Sequence, residues 1–207
     1  MKRILWLALC APLLASAAEP KQLFNGKDMT GWKHVGPGSF TVEKGELTTH
    51  GGMGLLVYEP ESFGNALVKV VYKVTGEHDN SGVYIRMPEA APDPWYGVHN
   101  GYEVQIDGAG DDWHCTAAIY SLSPATSRPQ KVNEWNVMQI ELRGQTTTVT
   151  LNGVKVNVFR GDQPVPPRKM WFEPVRGPRP DRGYIGLQNH DERSHVFFKE
   201  ISVRPLD

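Results

Sequence analysis

Apolar and polar residues alternate with a period of two along much of the chain, as in Phe40-Thr41-Val42-Glu43, Leu67 to Val74, and Tyr102-Glu103-Val104-Gln105-Ile106-Asp107. Successive side chains of a pleated strand point to opposite faces, so this period predicts strands that turn one face to a core. The pattern returns at Val137–Leu142, Thr146–Leu151, Val154–Phe159, Tyr184–Gln188 and Val196–Val203, with Gly, Asn and Pro between the runs. Past residue 18, no stretch of ten residues keeps an apolar stripe at helical spacing, so little helix is expected. Leu151-Asn152-Gly153-Val154 reads as a tight hairpin, because Asn-Gly accepts the positive φ angles of a two-residue turn. About a dozen short strands in one domain predict an all-β fold, an antiparallel two-sheet sandwich of jelly-roll type. Pro88–Gly101 and the proline-rich Gly161–Gly183 fit no strand and read as ordered surface loops, since they carry Trp95, Tyr96, Trp171 and Phe172.

The one long apolar run, Ile4–Leu14, follows Lys2 and Arg3 and precedes Ala15-Ser16-Ala17-Ala18. That is the layout of a secretory signal, cleaved after Ala17 or Ala18, and the run is shorter than the roughly 20 residues a spanning helix needs. Leu9, standing before Cys10 where a small residue would be needed, argues against lipidation. The expectation is an exported protein, periplasmic or secreted, with residues 1–18 as signal and 19–207 as one domain without membrane insertion. Loss of Lys2 and Arg3 takes the net charge from −1 to −3 with histidines neutral, a balance that disfavours nucleic acid as a partner. Cys115 alone remains after processing, so no disulfide forms within the chain and packing must supply stability.

Six elements in fixed order resemble the 3-keto-disaccharide hydrolase family. They are Leu23-Phe24-Asn25-Gly26 through Gly31-Trp32; Asn80-Ser81-Gly82-Val83-Tyr84-Ile85-Arg86; Gly101 to Asp107; Glu134-Trp135-Asn136; Leu151-Asn152-Gly153; and Gly183 to His190. The resemblance implies a concanavalin A-like lectin/glucanase sandwich whose concave face holds a carbohydrate substrate, and activity on 3-keto-glycosides. One departure is local: Asp191-Glu192-Arg193 follows His190 where the family often has Gly.

Pleating places Glu103, Gln105 and Asp107 on one face of their strand, and Tyr84 and Arg86 opposite Val83 and Ile85 on theirs. An ordinary strand would turn such a row to solvent, whereas two rows on one concave sheet would make a site. Direct glycoside hydrolysis needs two carboxyl groups about 5 to 9.5 Å apart. The i+2 neighbour of Glu103 is Gln105, and Asp107 lies about 13 Å further along, so the pair is missing unless Asp79 or Asp111 completes it. A 3-keto sugar needs less, because its ketone acidifies the C2 proton and elimination then expels the anomeric oxygen. For that chemistry Glu103 is the candidate base and Arg86 the enolate stabiliser, with an Arg86–Glu103 ion pair as the structural alternative. His190 is a candidate proton donor or metal ligand, and His99 and His114 sit in loops bordering the same face. Gln105, Tyr84, Asp107, Trp95 and Gln188 are candidate substrate contacts, with Tyr96 and Trp171 as further stacking platforms. Asp107-Gly108-Ala109-Gly110-Asp111-Asp112 offers oxygens for calcium or serves simply as a turn. A non-catalytic carbohydrate-binding module would use the same surface and stays open as the alternative.

Overall fold

Alternation of this kind can bury its apolar rows only by stacking two sheets, and the computed structural model, which describes residues 18–207, shows that arrangement. Residues 1–17, holding nearly all of the expected signal, lie outside the described residues. The elements run β1 (Lys21–Gln22), β2 (Trp32–Val35), β3 (Ser39–Glu43), β4 (Glu46–His50), β5 (Gly54–Tyr58), β6 (Ala66–Val74) and β7 (Asn80–Met87). They continue with α1 (Tyr96–Asn100), β8 (Tyr102–Asp107), β9 (Asn136–Arg143), β10 (Thr146–Leu151), β11 (Val154–Arg160), β12 (Tyr184–Asn189) and β13 (Val196–Pro205). The larger sheet has the order β11-β10-β9-β6-β13-β4-β3, with β1 on β13, and the five-stranded sheet has the order β2-β5-β12-β7-β8. Every pairing is antiparallel. Asn152 (φ 51°) and Gly153 (φ 82°) make the expected hairpin turn between β10 and β11. Among the described residues no helix is long and apolar enough to cross a membrane.

Between the sheets lie Val68, Val70 and Tyr72 of β6, Met138, Ile140 and Leu142 of β9, Val83 and Ile85 of β7, Val104 and Ile106 of β8, and Ile185 and Leu187 of β12. Each fully buried aliphatic side chain contributes roughly 1.5–3 kcal/mol. A second apolar cluster covers one end of the five-stranded sheet's outer face: Leu55, Val57, Tyr84 and Met87 pack under Ala91 and Val98. The segment 88–101, expected as a loop, is thus a roof that contains helix α1. Gly97 lets the helix touch the Tyr84 ring, since a Cβ there would lie 2.7 Å from its Cγ.

Candidate functional site

The outer face of β8 lies in the uncovered part of that sheet. Glu103, Gln105 and Asp107 pair across to Tyr84, Gly82 and Asn80 of β7. The row is not solvated: Glu103 is 4 % exposed and Gln105 3 %. Segment 115–123 folds back along the free edge of β8, with Ala117 N and Gln105 N bonding to Gln105 O and Ala118 O, and Tyr120 N donating to Glu103 O. With the roof at 88–101 and Phe172 of the long loop, this fold-back walls a cavity of about 330 Å³. Glu103, Gln105, Asp107, Gln188, His190 and Trp95 all line it.

Burial pushes the Glu103 carboxyl up to about 8, while Gln188 and Tyr84, which approach the same group, pull the other way. Glu103 Oε1, Gln105 Oε1 and Gln188 Oε1 are buried with no hydrogen-bond partner. Such orphaned atoms are costly unless a ligand or water satisfies them. Room for the Glu103 carboxyl comes from Gly82, where a Cβ would stand 2.4 Å from Oε1.

Two expected partners are placed differently. Arg86 does not face Glu103: the β7–β12 register shifts between Tyr184 and Gly186, and Arg86 takes φ 60°. One extra residue in a strand breaks the alternation, so a bulge turns the guanidinium out of the row. It donates to Gly144 O at 2.6 Å and to the carbonyls of Asp181 and Pro180, tying the β9–β10 turn to the long loop. Neither enolate stabilisation nor an Arg86–Glu103 ion pair fits that position. Tyr84 is also not a wall residue, for its ring lies beneath α1 and its hydroxyl receives Gln188 Nε2 at 2.7 Å. It supports the site from below.

His190 stands on the rim with Nδ1 3.0 Å from Asp191 Oδ2. The departure after His190 therefore has a local use: Asp191 orients the imidazole while its Oδ1 caps the amides of Arg193 and Ser194. His114 also borders the cavity, but Asp111 Oδ1 (2.8 Å) and Ser121 Oγ (2.9 Å) engage both its ring nitrogens. His99 stacks on Trp95, at 6.1 Å between centroids, and is not among the cavity's lining residues; Trp171 leans on Trp95 at 4.7 Å, its carbonyl 3.1 Å from His99 Nε2. Asp79 is spent on the amides of Thr75, Gly76 and His195, so it completes no carboxylate pair.

In the segment read as oxygens for calcium or simply as a turn, the carboxylates make local contacts. Asp107 Oδ1 caps Ala109 and Gly110, Asp111 holds Trp113 N and His114, and Asp112 pairs with Arg128. Among the described residues no three side chains of His, Cys, Asp or Glu gather around one point.

The sequence matches the family described as the 3-keto-alpha-glucoside-1,2-lyase-like domain over residues 19–204. The chain belongs to this family. No curated protein matches it. Among solved structures, two proteins of Parabacteroides distasonis provisionally named glycosyl hydrolases are similar. One has a TM-score of 0.74 at 22 % identity, covering 91 % of this chain and 94 % of its own. The other has 0.72 at 25 %, covering 91 % and 100 %. The carbohydrate binding module CBM66 of Bacillus subtilis shares the fold at a TM-score of 0.57 and 16 % identity, covering 84 % and 95 %. This member of the lyase-like family thus carries the jelly-roll sandwich that its periodicity predicts.

Residues 53, 80, 98, 120 and 172 line the cavity without having been expected there. A partial signal existed for one of them: Ala117-Ala118-Ile119-Tyr120 is a short apolar run in the segment after β8, which marks it for burial without saying where it packs.

Proposed function

We propose that this protein cleaves a glycoside already oxidised at C3, by elimination across C1–C2 followed by addition of water. The observation that carries the reading is Glu103: a buried carboxyl facing the cavity, with an unpartnered oxygen and a pKa near 8. A base of that strength suits removal of a proton next to a ketone at neutral pH. Among the described residues lining the cavity the other carboxylate is Asp107, four positions along β8 and engaged by Ala109, Gly110 and Asn80, an arrangement that does not favour direct displacement.

Glu103 takes the C2 proton, and the electron pair moves onto the C3 carbonyl oxygen as an enolate. Its collapse forms the C1=C2 bond and breaks the C1–O bond, and the departing oxygen takes a proton. Water then adds across the double bond, hydroxyl to C1 and proton to C2, giving a free 3-keto sugar. With Arg86 elsewhere, Tyr120 and His190 are the donors the wall offers to the enolate and the leaving group. Asp191 beside Nδ1 holds the His190 ring in place on the rim of the cavity. The family to which the chain belongs and its hydrolase-named neighbours support this class of reaction.

The test is incubation with 3-keto-trehalose and with trehalose. Release from the keto sugar alone, with C2 deuteration slowing it and Glu103→Gln abolishing it, supports elimination. Equal cleavage of both sugars removes the reading, and binding without turnover returns the protein to the carbohydrate-binding class of CBM66. We also read it as exported, from residues 2–18. Mass spectrometry of the periplasmic fraction should find a chain that begins at Ala18 or Glu19.

A further inference from the structure

The acceptor oxygens around the cavity are fixed in direction by two hydrogen-bond chains, and that direction defines what the ligand must bring. A carboxylate can only accept. Asp107 receives the Ala109 and Gly110 amides on Oδ1, and Asn80 Nδ2 on Oδ2 at 3.4 Å. Asn80 must then turn its Oδ1 the other way, where Gln105 Nε2 donates to it at 3.3 Å. Gln105 is left with Oε1 buried and unpartnered. The second is a single link: Gln188 Nε2 donates to Tyr84 Oη at 2.7 Å, and Gln188 Oε1 is likewise unpartnered.

These oxygens come from β8 and β12, on either side of β7, where Gly82 offers bare backbone. Among the described residues lining the cavity there is no Lys or Arg, while Glu103 and Asp107 are both present. A ligand carboxylate would meet Glu103 and Asp107 and find no Lys or Arg to pair with. Hydroxyl hydrogens would satisfy Gln105 and Gln188 together.

We propose that the cavity selects a neutral polyhydroxylated sugar ring lying over Gly82, with hydroxyls donating to Gln105 Oε1 and Gln188 Oε1, and that it rejects sugars bearing a carboxylate. The proposal rests on the preceding section only in placing a sugar in this cavity. Asp107 becomes a positioning residue, acting through Asn80 on the orientation of the Gln105 amide. Asp107→Asn would let that chain reverse.

Calorimetric titration of the Glu103→Gln protein, chosen so that bound sugar is not consumed during the measurement, provides the test. The probes are methyl glucoside and methyl 3-keto-glucoside, their 2-deoxy and 4-deoxy analogues, and the matching glucuronides. The glucuronides should bind about a hundredfold more weakly than the neutral sugars, because an unpaired charge would be buried. Gln105→Met and Gln188→Met, added singly, should each weaken the full sugar about fivefold to tenfold. Each should leave unchanged the affinity for the deoxy analogue lacking the hydroxyl it reads. Asp107→Asn should shrink the ratio between full and deoxy sugars, which a merely structural role would not do.

Glucuronides binding as tightly as neutral sugars, indifference to both Gln→Met changes, or no binding of either neutral sugar would each overturn the proposal. The two readings fail separately. Selective binding of methyl glucoside without cleavage of any keto sugar sinks the elimination alone, whereas cleavage of keto sugars and keto uronides alike sinks the selectivity alone.

Discussion

At one end of the five-stranded sheet's outer face, Leu55, Val57, Tyr84 and Met87 are sealed under the segment that holds Val98. At the other end Glu103, Gln105 and Gln188 are just as inaccessible, yet each keeps an oxygen without a partner. The same strands build both. The sealed end is stabilised by apolar contact, and the open end gives up stability to keep polar groups poised, as ligand sites commonly do. The difference arises from what lies above the sheet: helix α1 with its small Gly97 in one place, and loops that leave a hollow in the other.

The largest effect that would sharpen this contrast is on chemistry. Glu103→Gln should lower kcat on a 3-keto-glycoside by about 10³-fold or more while circular dichroism stays native. In the intact protein, kcat/KM should rise with pH and level off above about 8, where Glu103 is deprotonated. Stability should run the opposite way. The folded carboxyl titrates near 8 and the unfolded one near its ordinary 4.5, so between these values the folded state holds the extra proton. The contribution is complete below pH 4.5 and is lost as pH rises through 8, at up to about 1.4 kcal/mol per pH unit. Denaturant titrations across that window should show the slope, and Glu103→Gln should remove it.

At the sealed end, Met87→Ala should cost about 2–5 kcal/mol in urea unfolding, because Met87 is fully buried, with kcat nearly unchanged at temperatures where the protein stays folded. A loss of kcat that outruns the loss of folded protein would mean that the two ends are not separable. Arg86→Met should cost about 1–3 kcal/mol of stability through the carbonyls it leaves unpaired. It should leave the pH profile of activity in place; a shifted profile would return Arg86 to the reaction. The smallest expected change is at the rim, where Trp95→Ala should raise KM about tenfold with a smaller effect on kcat, read from steady-state kinetics.

Much of the sandwich was legible because its strands are locally written. β8 and β10 have the bounds that alternation alone assigns them, and the Asn152-Gly153 turn follows from backbone sterics. The polar row of β8 was legible for the same reason. Arg86 was not, since a bulge is a property of the pairing between β7 and β12, and a count of alternate positions along one strand assumes that no such shift occurs. Tyr120 and Phe172 were missed as wall residues because their places depend on how segments 115–123 and 161–183 fold back, which no periodicity encodes.

The order of residues by itself determined the strands, their buried faces, and that Glu103, Gln105 and Asp107 point the same way. The pleat has a fixed period and the hydrophobic effect acts on it position by position. Only the tertiary structure decided that this row lies in a walled hollow, that its carboxyl is desolvated and titrates high, and that Arg86 stands apart. Desolvation and contact depend on what distant segments place above a strand, and those distances are set by packing.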